Sequence, residues 1–192
     1  DAGGIRRAVD DSAEHAYAQL PEQAQLAAQR VFLRLVNIDP NDIATRRTAT
    51  RAELAGLAAD PVSDGDTTTP ATVLAPFVDA RLVTAGESTV ELAHEALLAA
   101  WPRLRSWIDL DREGIVLRRR IGDATQLWLD HERDPSALAT GARLAAMQQG
   151  AGGDARQHLS QDERAFLDAS AERAAGEARA RRRRTRRLRM LA

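Results

Sequence analysis

The sequence has no cysteine, so it has no disulfide framework, no thiolate metal site and no cysteine nucleophile, and nothing points to an oxidising compartment. It has no lysine either, since all 27 basic residues are arginine. A phosphate-binding loop of the form G-x-x-x-x-G-K-[ST] therefore cannot exist within this chain, and nucleotide hydrolysis that needs that lysine must happen elsewhere. Aromatic residues are scarce, at 4% of the 192 positions, and β-branched residues are sparse, while Ala and Leu fill the 44% apolar share. That balance favours helices over a large sheet. No run approaches the ~18 to 20 apolar residues that span a bilayer, and the opening at Asp1 has no basic and then apolar leader. The cytoplasm is the expected address. Beginning "DAGGIRRAV" and ending "MLA", the chain reads as an excerpt from a longer polypeptide.

Charge is abundant but unevenly placed. Residues 1–178 hold 19 arginines against all 28 acids, whereas residues 179–192 hold eight arginines and no acid, so a net charge of −1 conceals an acidic body and a basic tail.

Apolar spacing organises the rest. Ile5, Val9, Ala13, Ala16 and Tyr17 fall at helical intervals, and Pro21 with Glu22 opens a second helix whose stripe is Leu26, Phe32, Leu33 and Val36. An Asp-Pro turn within residues 37–41 stops it. Thr48 to Thr50 form a very short strand, and Thr50 with Glu53 has capping-box spacing for a short helix to about Ala59. "DPVSDGDTTTP" is a loop. Thr69 and Pro70 cap and open a helix carrying Val73, Leu74, Phe77 and Val78 inward, with Pro76 removing one backbone bond. "LVTAGESTVELA" reads as a β-hairpin.

From His94 the period is helical again, with Leu97, Trp101, Leu104 and Ile108 on one face and Trp107 beside them. Pro102 marks a kink or restart. The pattern continues through Ile115, Val116, Ile121, Leu127 and Trp128 to His131, with Gly114 and Gly122 as weak points. Asp134-Pro135 opens a helix carrying Leu138, Leu144 and Met147. "QGAGGDARQ" reads as a loop, and Ser160 with Glu163 forms a second capping box for a last helix that buries Phe166 and Leu167. The order predicts a mainly α protein: a leading helix over 1–19, a winged helix of three helices and a small hairpin wing over 20–93, a helical bundle over 94–170, and a long arginine-rich helical tail or linker over 171–192.

Five stretches carry a resemblance: "LPEQAQLAAQRVFLRLVNI", "TRRTATRAELAGLA", "VLAPFVDARLVT", "TVELAHEALLAAWPRLRSWIDLDREG", and "ARLAAM" followed by "LSQDERAFLDAS". Together they resemble the segment that follows the nucleotide-binding core in bacterial STAND NTPases, signal-transduction ATPases of the NACHT and NB-ARC kind, in the novel STAND NTPase 1 subgroup that often carries WD40 repeats. The resemblance implies that residues 1–19 link back to an ATPase core, that ATP or ADP with Mg belongs to that core, and that this chain is a non-enzymatic regulatory module with no cofactor of its own. Its implied partners are the core, a downstream repeat domain and further copies of the chain on activation. A membrane segment directly after residue 192, tethering the protein to the inner face, is also compatible with the subgroup. In related NACHT proteins a histidine just after the wing reaches the β-phosphate of ADP, and His94 in "ELAHEALL" resembles it in position, although the His-Glu flank differs from the commoner pattern.

Bland readings stand beside these. His94 is a phosphate sensor or a corner histidine. Trp101, Trp107 and Trp128 are core anchors or a partner face, and their spacing with Leu97 and Leu104 favours the core. Glu95, Asp109, Asp111 and Glu113 have no nucleophile or ligand partner in the pattern and read as a solvated face, and His15, His131 and His158 as surface residues. A DNA-binding winged helix is the rival function, but "PATVLAPFVDAR" offers only Arg81 to DNA, so specific DNA binding is disfavoured. The basic tail, Arg181, Arg182, Arg183, Arg184, Arg186, Arg187 and Arg189 with Arg179, suits nonspecific nucleic-acid contact, a charged helix with Glu177 and Arg181 paired, or a membrane flank, and the span that the subgroup often has before its repeats favours the last.

Overall fold

The computed structural model describes residues 2–55, 57 and 69–190. The chain is mainly α and divides into two compact units, residues 1–116 and 117–192. The division falls beyond the hairpin because Leu97, Trp101, Leu104, Ile108 and Ile115 are buried in the same core as Val83, Val90 and Leu92. The helix over the first residues joins that core too, through Ala13 and Ala16.

In the first unit, α1 (Ala2–Ala18) packs on the later helices, and α2 (Glu22–Arg34) follows Pro21. The buried face of α2 is Ala24, Ala27, Ala28, Val31 and Phe32, while Leu26 is 64% exposed. The stripe expected through Leu26 is therefore displaced. Small alanines let neighbouring helices approach closely, and they fill the face that a larger residue would mark. The expected stop after α2 is instead a hairpin. Strand β1 (Val36–Ile38) pairs antiparallel with β2 (Ala44–Arg46), Asn37 opposite Thr45. Its turn is closed by the Asp39 carboxylate, which accepts the N–H groups of Asn41 and Ile43 at 2.8 Å each, with Asp42 in the left-handed region at φ 63°.

Strand β3 (Ala49–Thr50) runs into α3 (Arg51–Ala55). Half the expected capping box forms: Thr50 Oγ1 accepts the Glu53 N–H at 3.1 Å. The Glu53 carboxylate instead accepts from Arg47 at 2.7 and 3.0 Å and from buried Arg34 at 3.4 Å, tying α3 to α2 and the hairpin. The expected helix end near Ala59 and the loop of residues 60–68 lie outside the described residues.

Helix α4 (Pro70–Asp79) starts as expected at Thr69, and Thr69 with Thr72 makes a reciprocal capping box. Val73, Leu74 and Phe77 are buried, but Val78 is 36% exposed. The helix ends when Leu82 N–H donates to Phe77 O at 2.8 Å and Arg81 takes φ 58°, a left-handed stop that usually falls to glycine. Strands β4 (Val83–Ala85) and β5 (Thr89–Leu92) form the expected hairpin, and the antiparallel sheet order is β3-β5-β4. Helices α5 (Ala96–Ala100) and α6 (Pro102–Leu110) make Pro102 a restart rather than a kink. Helix α7 (Arg112–Asp130) then runs through both Gly114 and Gly122.

The second unit is helical among the described residues. On α7, Ile121, Ala124 and Trp128 are buried, whereas Leu127 is 50% exposed. The single helix expected from Pro135 is two elements: a 3-10 turn over Pro135–Ala137, capped by Asp134, and α8 (Gly141–Gly150). The glycine-rich stretch is likewise mostly ordered, with a second 3-10 segment over Gly153–His158. Helix α9 (Gln161–Met190) opens on the expected box, Ser160 N–H donating to the Glu163 carboxylate at 2.7 Å and Glu163 N–H to Ser160 Oγ at 3.2 Å. Phe166 and Leu167 are buried, and beyond Gly176 every described side chain through Arg186 is exposed. Glu177 pairs back to Arg173 at 3.0 Å rather than forward to Arg181. Among the described residues, no helix is long and apolar enough to cross a membrane.

Candidate functional site

His94 sits on the turn between β5 and α5. Buried Leu92 and Leu97 fix the chain on either side of it. Ala93 N–H donates to Leu82 O at 2.9 Å and closes the hairpin, and Leu97 N–H donates to His94 O at 3.1 Å and opens the helix. The backbone is therefore held while the ring is exposed and has no hydrogen-bond partner among the described residues. The helix that follows has only five residues, so few peptide dipoles add at its start to attract an anion. The ring itself is what this corner offers. Its two nitrogens can present one donor and one acceptor, or two donors when protonated.

A second polar cluster of the first unit, besides the one around Glu53, centres on a residue that periodicity did not single out. Glu14 on α1 receives the indole N–H of fully buried Trp101 at 2.6 Å, and Arg103 donates to both of its oxygens, at 2.9 and 2.8 Å. The Arg103 guanidinium lies 4.2 Å over the Tyr17 ring. Trp101 is surrounded by Phe32 at 5.1 Å, Trp107 at 5.5 Å, Phe77 at 5.6 Å and Tyr17 at 6.3 Å between ring centres. Trp101 is thus a core anchor, and so is Trp128, whose ring is 5.8 Å from Phe166 in the second unit. Trp107 is half-buried at the edge of the first cluster.

The hydrogen bond from Arg103 holds the Glu14 carboxyl below its ordinary 4.5, against a smaller opposing effect of burial and with help from the Trp101 indole. A carboxyl lowered on folding stabilises the fold above its unfolded pKa and loses that contribution as pH falls through the folded value. Chemical denaturation at pH 6 and pH 3 should therefore show a smaller acid loss in Glu14→Gln than in wild type. The difference should be about 0.2 to 1 kcal/mol, since the pair is partly solvated. An identical acid loss in both proteins would contradict the network.

The remaining sequence candidates fall apart in space or serve structure. Arg112 donates to Asp109 at 2.9 Å and to the Asp42 carbonyl at 2.8 Å, so Asp109 belongs to a clamp on the β1–β2 turn. Glu95 and Glu113 are exposed. His15 bonds Gln19 and His131 bonds the Leu127 carbonyl, both at the surface, whereas His158 is half-buried. Among the described residues, no group of three or more His, Asp or Glu is placed to hold a metal. The outer face of α4 presents Ala71, Thr72, Ala75, Val78 and Asp79, with no cation for phosphate or base edges. In the hairpin turn Glu87 is exposed, and Arg51 is spent on the Gly86 carbonyl at 3.0 Å. In the second unit, a groove of about 350 Å³ is lined by Leu117, Arg120, Asp123, Arg143, Ala146 and Met147. It brings together no nucleophile and base. Arg179, Arg181, Arg182, Arg183, Arg184 and Arg186 are exposed on α9, and the side chains of Arg187 and Arg189 lie outside the described residues.

The sequence of residues 1–136 matches a family model of the STAND NTPase class. The particular family is Novel STAND NTPase 1, and the chain belongs to it. The matched span holds His94 and the Trp101 cluster, whereas "ARLAAM" and "LSQDERAFLDAS" lie beyond it. No curated protein and no solved structure matches the chain.

Proposed function

We propose that this chain is the regulatory module of a STAND signalling ATPase of the NACHT and NB-ARC kind, coupling the nucleotide state of a preceding core to sensor repeats of the WD40 type that follow. In this reading α2, α3 and α4 with the β3-β5-β4 sheet are a winged helix, β4–β5 is its wing, and the protein works in the bacterial cytoplasm and self-associates on activation. ATP or ADP with Mg belongs to the core. The chain has no lysine with which to cradle phosphates, and its own contribution is one contact, from His94 to the β-phosphate of ADP in the closed state. The observation that carries this reading is the His94 corner, where a rigid backbone holds an exposed ring without an internal partner. Helix α1 supports it, because Glu14 bonds this helix into the His94-bearing unit, so a pull from the preceding core reaches the same packed body.

The test uses the full-length parent. A hydrogen bond to a charged group contributes about 1.5 to 3 kcal/mol, so His94→Leu should shift the closed-to-open ratio by roughly 10- to 150-fold. Less ADP should co-purify and signalling output should rise. Because the ring is exposed, the same substitution should leave the melting temperature of the 192-residue chain unchanged. Equal ADP retention and unchanged output would refute the sensor role.

A further inference from the structure

The arginines of the last helix have an arrangement that their number alone does not convey. Because α9 remains helical through Met190, and successive residues turn by about 100° around the axis, Arg179, Arg182, Arg183 and Arg186 at i, i+3, i+4 and i+7 form one stripe. Arg181 and Arg184 lie across the axis from it. All six are exposed, and none has an ion-pair partner among the described residues. The nearest acid in sequence, Glu177, is taken by Arg173. After Phe166 the sequence has no Asn, Gln or aromatic residue, so this segment has nothing to read an adenine edge and no ring on which to stack a base, and the one edge its arginines can contact, guanine, is present in any mixed sequence.

We propose that the C-terminal half of α9 is a sequence-independent binding element for duplex DNA, seated in the major groove. A helix with its side chains is about 10–12 Å across, and the major groove of B-DNA is about 12 Å wide. Within it, phosphate rows flank the helix on both sides, which engages the stripe and the opposed pair together. A flat anionic bilayer meets only one side. The segment also lacks an apolar face to insert, since among residues 179–186 only Ala180 and Thr185 are uncharged. Arginine suits phosphate because its planar fork donates two parallel hydrogen bonds. The acidic remainder of the chain, 28 acids against 19 arginines over residues 1–178, repels the duplex and confines contact to the tail. This element is separate from α4 and the β4–β5 hairpin, whose outer faces carry no cation row.

The experiment titrates a fluorescein-labelled mixed-sequence DNA duplex with the full chain at several salt concentrations, beside vesicles containing phosphatidylserine. Log affinity falls with log salt by about 0.9 per phosphate neutralised. Six or more engaged arginines therefore give a slope of about −5 or steeper, and an affinity loss of about 10³-fold or more between 50 and 200 mM salt. The double variant Arg181→Gln/Arg184→Gln should flatten the slope by about 1.8, since it removes two neutralised phosphates. Scrambling the duplex sequence should change nothing, and a chain ending at residue 178 should not bind, while its melting curve stays that of wild type because the last buried side chain of α9 is Ser170. A slope unchanged in the double variant, tighter binding to the vesicles than to the duplex, or binding that survives removal of residues 179–192 would each overturn the proposal.

Discussion

Trp101→Ala should lower the stability of the first unit by about 3 to 5 kcal/mol, the largest loss expected from a single substitution there. Trp101 is fully buried, it touches four aromatic neighbours, and its indole N–H is the shortest donor to Glu14. The cavity left by a tryptophan cannot close around rings already held by α1, α2 and α4. For a domain of this size the loss corresponds to roughly 10 to 20 °C in Tm. Two comparisons separate packing from the hydrogen bond. Trp101→Phe keeps a ring but no donor, and Glu14 retains both bonds from Arg103, so it should cost clearly less than alanine. Trp107→Ala removes a half-buried ring and should also fall below Trp101→Ala. If thermal unfolding ranked Trp107→Ala above Trp101→Ala, or left Trp101→Ala within about 2 °C of wild type, the aromatic cluster would not be the centre of this unit.

That ranking could not be made from spacing. Leu97, Trp101, Leu104 and Ile108 announce their common face through helical period, and all are buried as expected. Period places Trp107 next to that face without distinguishing a centre from an edge. The partner that makes Trp101 special, Glu14, is 87 residues away and carries no pattern of its own. Signals confined to a few residues were readable: the Thr69-Pro70 start of α4, the β4–β5 turn and the Ser160–Glu163 box are each set by neighbours in sequence. The β1–β2 hairpin was not, because Asn37, Asp39, Pro40 and Asn41 look like a terminator. Their role depends on where the Asp39 carboxylate points. Leucine was also a misleading guide where alanine does the packing, as at Leu26, and where a helix keeps one side in water, as at Leu127. The family was legible in "HEALLAAWPRLRSWIDLDREG", and the matched span includes it. The position of His94 at a fixed corner was legible there too, but the exposure of its ring depends on how β5 and α5 meet.

Phe166→Ala should cost the second unit about 3 to 5 kcal/mol, and here the same figure has a larger consequence. Units of fewer than about 80 residues seldom hold more than about 3 to 5 kcal/mol in their core, and this one spans residues 117–192. Phe166 is fully buried against Trp128, in a cluster completed by Ile121, Leu144, Met147, Leu159 and Leu167. Its removal takes the only other aromatic ring from that core, so most of the unit's stability goes with it. Amide hydrogen exchange read by peptide should then show α8 and the first three turns of α9 losing protection at 25 °C, while residues 2–55 and 69–110 exchange as in wild type. Ser160→Ala gives the graded control: loss of an N-cap costs about 1 kcal/mol, enough to speed exchange in α9 without unfolding the unit. Parallel loss of protection in the first unit would mean that the two cores unfold as one, and that the division between Val116 and Leu117 is geometric rather than energetic. Selective loss would establish that a substitution in the helices bearing the arginine tail leaves the His94 corner intact, so that the tail and the nucleotide contact can be tested in separate variants of one protein.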